Sequence, residues 1–125
     1  MGKDFRIKVE LSQSGPREII YKFKLKENGE NIGWCSAKSD KTGVTEINYE
    51  IYKKYRGCGY SIEGMKSILD ILKNNKSSTK LVAKVNEKNI GAWRVLEKSG
   101  FDLQSVFLNK DENTTARLYI YDISA

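Results

Sequence analysis

The chain has 125 residues, 39% of them hydrophobic, and a net charge of +6 carried by residues of both signs; it is long enough for one hydrophobic core and too short for two ordinary domains, so 1–125 is expected to form a single domain. Its composition excludes the disordered, collagen-like and disulfide-scaffold classes, and neither a membrane-length apolar run nor a signal-like core in MGKDFRIK is present, which makes a cytoplasmic address the default. With no histidine and only Cys35 and Cys58, a zinc centre or a histidine-based triad is excluded and both thiols are expected to be reduced.

Alternating Phe5, Ile7, Val9 and Leu11 predict a first strand, and SQSGPRE predicts a turn because Gly15 and Pro16 interrupt both helix and ladder. Tyr21, Phe23 and Leu25 alternate with Lys22, Lys24 and Lys26, the pattern of a half-buried strand with a solvated outer face, here from about Ile19 to Lys26. ENGE, centred on Asn28 and Gly29, predicts a two-residue hairpin into a third strand around Asn31 to Ala37. After the SDKTG turn, Val44, Ile47, Tyr49 and Ile51 mark a fourth.

From Tyr60 the period becomes helical, with Ile62, Met65, Ile68, Leu69 and Leu72 on one stripe, until KNNKSS ends it. KLVAKV is a short strand, and NEKNIGAWRVLEKSG supports a second helix that Asn89 caps and Gly100 terminates. Phe101 to Leu108 and Thr115 to Ile123, around the polar NKDEN, form a closing hairpin. This order predicts an α+β fold, a mixed, mostly antiparallel sheet of about seven strands with two main helices and one parallel crossover through residues 44 to 85. Trp34 and Trp93 are expected in the core, and Gly64 at a close helix packing contact.

The glycines of YRGCGYS, Tyr55 to Ser61, fall between a strand end and the first turn of a helix, where main-chain N–H groups lack intrahelical partners. Without Cβ atoms an anion can approach those donors and the positive end of the helix dipole, with Arg56 adding charge at the rim. The same glycines suit a tight turn that needs unusual dihedrals, and spacing alone leaves both readings open. The basic balance is compatible with a nucleotide cofactor, a nucleic acid or an acidic surface.

EINYEIYKKYRGCGYSIEGM resembles the acetyl-CoA signature of the GNAT-type N-acetyltransferase superfamily: Arg56 and Gly59 match its pyrophosphate loop, and Ser61 takes the last small position. NIGAWRVLEKSGF, with Asn89, Ala92, Gly100 and Phe101, is similar to the second signature, and EKSGF is closest in pattern to the branch of ribosomal-protein N-terminal acetyltransferases. The resemblance covers residues 44 to 101 closely and implies acetyl-CoA or CoA in a V-shaped opening between the fourth strand and KLVAKV. It implies main-chain groups near Ile51 and Tyr52 along the pantetheine arm, amides of Gly57, Cys58, Gly59, Tyr60 and Ser61 with Arg56 on the pyrophosphate, and Asn89 and Ala92 beside the pantetheine.

The family match also makes Glu46 the expected general base, with Asn48 and Glu50 on the same strand face. Many relatives carry a tyrosine seven residues after the helix asparagine; here Leu96 stands there, so no acid is assigned, and Tyr119 and Tyr121 remain options. Members of that superfamily usually insert two helices between the first two strands to wall the acceptor cleft, but Leu11 to Ile19 leaves room only for a turn. The acceptor side is therefore expected to be open, or completed by a second subunit in a homodimer. Cys58 reads as a loop residue without a base partner, and Lys73, Lys76 and Lys80 as a solvated loop rather than a site for the 3′-phosphate.

The leading expectation is an acetyl-CoA-dependent N-acetyltransferase acting on the primary amine of a small molecule or a peptide, without a membrane partner. A catalytically weak CoA-binding protein is the alternative. A nucleic-acid-binding module ranks below both, since no recognition helix or aromatic binding strand is evident.

Overall fold

Side chains in a strand alternate between faces, and pairing aligns those faces across neighbours. In this computed structural model, which describes residues 5–74 and 78–123, that rule builds one sheet with two very different sides. Its strands are β1 (Ile7–Ser14), β2 (Glu18–Leu25), β3 (Asn31–Ser39), β4 (Val44–Ile51), β5 (Lys80–Asn86), β6 (Asp102–Asn109) and β7 (Thr114–Asp122), with helices α1 (Tyr60–Asn74) and α2 (Ile90–Lys98). The order across the sheet is β1-β2-β3-β4-β5-β7-β6. Among the described strands only β4 and β5 run parallel, so α1 is the crossover that the pattern predicts.

Tyr21 pairs with Cys35 and Cys35 with Tyr49, which puts the apolar alternation of β2, β3 and β4 on one face. Met65, Ile68 and Leu72 of α1 and Leu96 of α2 bury against it, together with Phe23, Ile47, Leu81 and Tyr119. Each large apolar side chain so buried contributes roughly 1.5–3 kcal/mol. Gly64 permits the approach of α1, since a Cβ there would lie 3.0 Å from the Phe23 ring. Among the described residues no helix is long and apolar enough to cross a membrane.

Both helices pack on that face, and among the described residues none covers the other. Lys22, Trp34 and Glu50 form a row across this open side. Trp34 is therefore half-buried on the helix-free face and not in the core, because Gly33, Cys35 and Ala37 occupy the parity that faces α1. Trp93 packs at the core margin, its indole N–H donating to the Glu87 carbonyl at 3.0 Å. Ser14 and Glu18 are joined by a turn in which the Gly15 N–H donates to the Glu18 carbonyl at 2.8 Å, so no helix lies between the first two strands.

The β2–β3 connection departs from the expected two-residue turn. Leu25 N–H donates to the Glu30 carbonyl and Gly29 N–H to the Leu25 carbonyl, giving a longer loop in which Gly29 has φ 72 and Asn28 no positive φ. The Asn28 side-chain oxygen instead accepts the Glu30 N–H at 2.9 Å, which stabilises the wider turn.

Gly33 is the tightest of the described glycines, since a Cβ would fall 2.2 Å from the Glu50 carbonyl oxygen. Gly33→Ala is expected to cost roughly 1–3 kcal/mol as the β3–β4 ladder shifts. Urea unfolding reads this as a lower midpoint at unchanged m; an unchanged midpoint would contradict the pairing of Gly33 with Ile51.

Candidate functional site

β4 and β5 pair only at Val44–Lys80, Thr45–Leu81 and Glu46–Val82. Beyond Glu46 each strand stays tied to its outer neighbour, β4 to β3 as far as Ile51 and β5 to β7 as far as Asn86, so a gap opens in the sheet. The N-termini of α1 and α2 flank the gap. A cavity of about 360 Å³ lies there, lined by Tyr49, Glu50, Ile51, Tyr55, Arg56, Gly57, Gly59, Tyr60, Ser61, Ile62, Asn89, Gly91, Ala92 and Val95. A second, of about 230 Å³, shares Tyr49, Asn89 and Ala92 with it and reaches Trp34, Asn48, Lys84 and Asn86 on the helix-free face. The two together pass from the helix side of the sheet to its open side.

Gly57 and Gly59 adopt φ of 79 and 83, which other residues enter only with strain. Among the described residues, none of the main-chain N–H groups from Gly57 to Ser61 donates a hydrogen bond within the protein. A Cβ built on Gly57 meets nothing within 4 Å. Bare donors thus face open space at the positive end of α1, an arrangement that suits an anion.

Two arginines hold this loop. Arg56 turns back to β4, its Nε donating to the Ile51 carbonyl at 2.7 Å and its Nη2 lying 3.5 Å from Glu50 Oε2. Arg6, just ahead of β1, donates through Nη2 to the Cys58 carbonyl at 2.7 Å and through Nε to Glu63 Oε2 at 2.8 Å.

Tyr49 ties β4 to α2 across the cleft, and Asn89 lines it. The Tyr49 hydroxyl donates to the Ala92 carbonyl at 3.0 Å, and burial pushes its phenol well above the ordinary range, so it remains a donor. Asn89 caps α2, its Oδ1 accepting the Ala92 N–H at 3.3 Å, and the residue lines both cavities.

Of the residues singled out in the sequence, Ile51, Arg56, Gly57, Gly59, Tyr60, Ser61, Asn89 and Ala92 line the larger cavity together. Cys58 does not, although its carbonyl anchors Arg6. Tyr52 donates its N–H to the Ile32 carbonyl at 2.9 Å and also stays outside the lining. By strand alternation the N–H of Ile51 and both main-chain groups of Tyr49 then face the gap. Glu46 lines neither cavity; it is half-buried in the last β4–β5 pair, where the strands begin to part.

Tyr119 lies away from both cavities. Its hydroxyl donates to Glu97 at 2.6 Å and accepts from Arg117, and burial is the main cause of its raised pKa. Tyr121 packs on Phe101 at a ring separation of 5.4 Å. Lys73 sits over the Tyr121 ring in the last turn of α1, about 20 Å along a helix of that length from the loop, too far to reach an anion held there. Lys76 falls outside the described residues.

Sequence reasoning missed Tyr49, Trp34 and Arg6. Strand parity already separated Trp34 from Cys35, but nothing local in the sequence links Arg6 to a helix 57 residues later.

A family model described as an acetyltransferase (GNAT) domain matches residues 4–102. A Bacillus subtilis (strain 168) protein described as the uncharacterized N-acetyltransferase YjdG is 28% identical over 80 residues, 62% of this chain and 48% of that protein. The chain thus spans about half the length of that curated relative. Solved structures share the fold. An acetyltransferase (GNAT family) from Bacillus anthracis aligns with a TM-score of 0.76 at 19% identity, over 85% of this chain and 67% of its own. RimL, a ribosomal alpha-N-protein acetyltransferase in complex with coenzyme A, aligns at 0.75 and 17% identity over 87% and 64%. The aminoglycoside acetyltransferase AAC(6')-Ib, in complex with coenzyme A and kanamycin, aligns at 0.72 and 22% identity over 85% and 67%.

Proposed function

The chain belongs to the acetyltransferase (GNAT) family, and from that premise we propose that it transfers an acetyl group from acetyl-CoA to a primary amine of a small molecule or a peptide N-terminus. The observation that carries the reading is the run of N–H groups from Gly57 to Ser61 that donate to nothing among the described residues, at the gap between β4 and β5. These residues fit the diphosphate of CoA: donors, the α1 dipole and a Cβ-free approach at Gly57 coincide. Ile51 and Tyr49 offer main-chain groups to an extended pantetheine arm, and Asn89 its side-chain amide. Support for the cofactor also comes from RimL and AAC(6')-Ib, both solved with coenzyme A.

The cofactor supplies the acetyl group activated as a thioester. The chain's own tasks are to orient that group at the gap, to keep Tyr49 protonated as a donor, and to take the proton from the incoming amine. Glu46 is the proposed proton acceptor. The amine reaches the gap over the helix-free face, past Trp34 and Asn48. With only a turn between β1 and β2, that approach is broad, which accommodates a peptide end as well as a small amine.

A second reading, a CoA-binding protein with little chemistry, draws on the burial of Leu96 where relatives carry a tyrosine and on the engagement of Tyr119 with Glu97. Two measurements separate the readings. A CoA concentration of about 100 Kd is expected to add about 2.7 kcal/mol of stability, visible as a rise of several degrees in Tm. Amine-dependent thiol release from acetyl-CoA, screened over small amines and peptides, then distinguishes transferase from binder; no stabilisation at millimolar CoA would rule out both.

A further inference from the structure

The N-terminus proposed to hold a diphosphate carries a carboxylate in its own first turn, Glu63. Left alone, that charge would repel the phosphates and cancel much of the helix dipole. Its side chain is only 15% exposed, so solvent screens it poorly. We propose that Arg6 is a positioning residue for cofactor binding, which neutralises Glu63 and fixes the carbonyl side of the loop so that its N–H side faces the diphosphate; this rests on the cofactor reading above.

The geometry is specific. Glu63 Oε2 accepts from both Nε and Nη2 of Arg6, and Oε1 accepts the Arg6 main-chain N–H at 2.7 Å. The same Nη2 donates to the Cys58 carbonyl between the two positive-φ glycines. A Cβ on Gly59 would come within 3.3 Å of that nitrogen, so the guanidinium lies directly against the loop. It also stacks on Tyr60, 4.3 Å from the ring centroid, and Tyr60 lines the cavity. One side chain from ahead of the edge strand thus contacts the turn, the first helical residue and the helix's only first-turn acid.

Calorimetry with CoA on the wild type, Arg6→Ala, Glu63→Gln and the double variant tests this. Arg6→Ala is expected to weaken CoA on the order of tenfold, because a charged hydrogen-bonded group is removed and the carboxylate is left unpaired. Glu63→Gln keeps one of the two acceptor oxygens and removes the charge, so it should bind clearly more tightly than Arg6→Ala, and the double variant should recover most of the Arg6→Ala loss. That recovery in the double variant is a readout that a purely structural loss at Arg6 would not give. Arg6→Ala binding like wild type, or Glu63→Gln losing as much as Arg6→Ala, overturns the proposal. Should Arg6→Ala fail to fold, Glu63→Gln decides alone, and a loss on the order of tenfold in that variant overturns the proposal. A wild type that gives no heat with CoA refutes the cofactor reading instead, so the two failures are distinct.

Discussion

A chain carrying Gly57→Asn is expected to fold normally and to bind CoA on the order of a hundredfold more weakly than wild type, since at least two charge-assisted hydrogen bonds are lost. The choice of asparagine separates two effects of losing a glycine. Gly57 has φ 79, where most side chains cost about 1–2 kcal/mol. Asparagine tolerates that region better than other residues, so the strain is small. Space within the protein is not limiting either, because a Cβ there touches nothing. What the side chain does fill is the open side of the bare N–H groups, where an anion would sit. Thermal unfolding without ligand should therefore be nearly unchanged, while the CoA-dependent rise in Tm disappears. Undiminished CoA binding by this variant would move the diphosphate away from the α1 N-terminus.

The readability of this site follows from how its parts are encoded. Alternation such as Tyr21, Phe23 and Leu25 against lysines is a local signal, and the strands and both helices appear where period and caps put them. Asn89 is a case in which one short motif carries both cap and cavity wall. Contacts set by the meeting of distant segments have no such signal. Arg6 meets Glu63 only because β1 flanks β2, whose Phe23 packs under Gly64 of α1. Trp34 illustrates a subtler limit: an aromatic in a strand reads as core until the partner strands decide which parity the helices cover. The loop at Asn28 escapes the Asn-Gly rule for a chemical reason, since a side-chain oxygen that caps a main-chain N–H favours a wider turn over a tight one.

The open face also alters what the acidic residues of β4 can do. Glu46, Asn48 and Glu50 share that face, yet their surroundings differ. Glu50 lines the larger cavity and lies 3.5 Å from Arg56, which itself anchors the end of β4. Its charge faces the Arg56 guanidinium at the rim of the loop. Glu46 sits at the closed end of the gap, opposite Lys38 on β3 and Val82 on β5, and among the described residues its side chain makes no hydrogen bond or ion pair.

That difference leads to the second large effect. Glu46→Gln is expected to lower kcat for acetyl transfer by about a hundredfold or more, within the usual range for removal of a general base, with little change in CoA affinity. Glutamine preserves shape and an acceptor oxygen but cannot hold a proton, so a pure kcat effect isolates proton transfer from positioning. Glu50→Gln should behave in the opposite way, raising the CoA Kd through Arg56 and leaving kcat at saturating cofactor close to wild type. Because Glu46 lies outside the lining of both cavities, the proposed proton transfer would run through a water between it and the amine near Asn48, and solvent isotope effects on kcat should be normal in wild type and change in the variant. Full turnover by Glu46→Gln together with a kcat collapse in Glu50→Gln would transfer the base role to Glu50 and place the acceptor on the helix side of the gap.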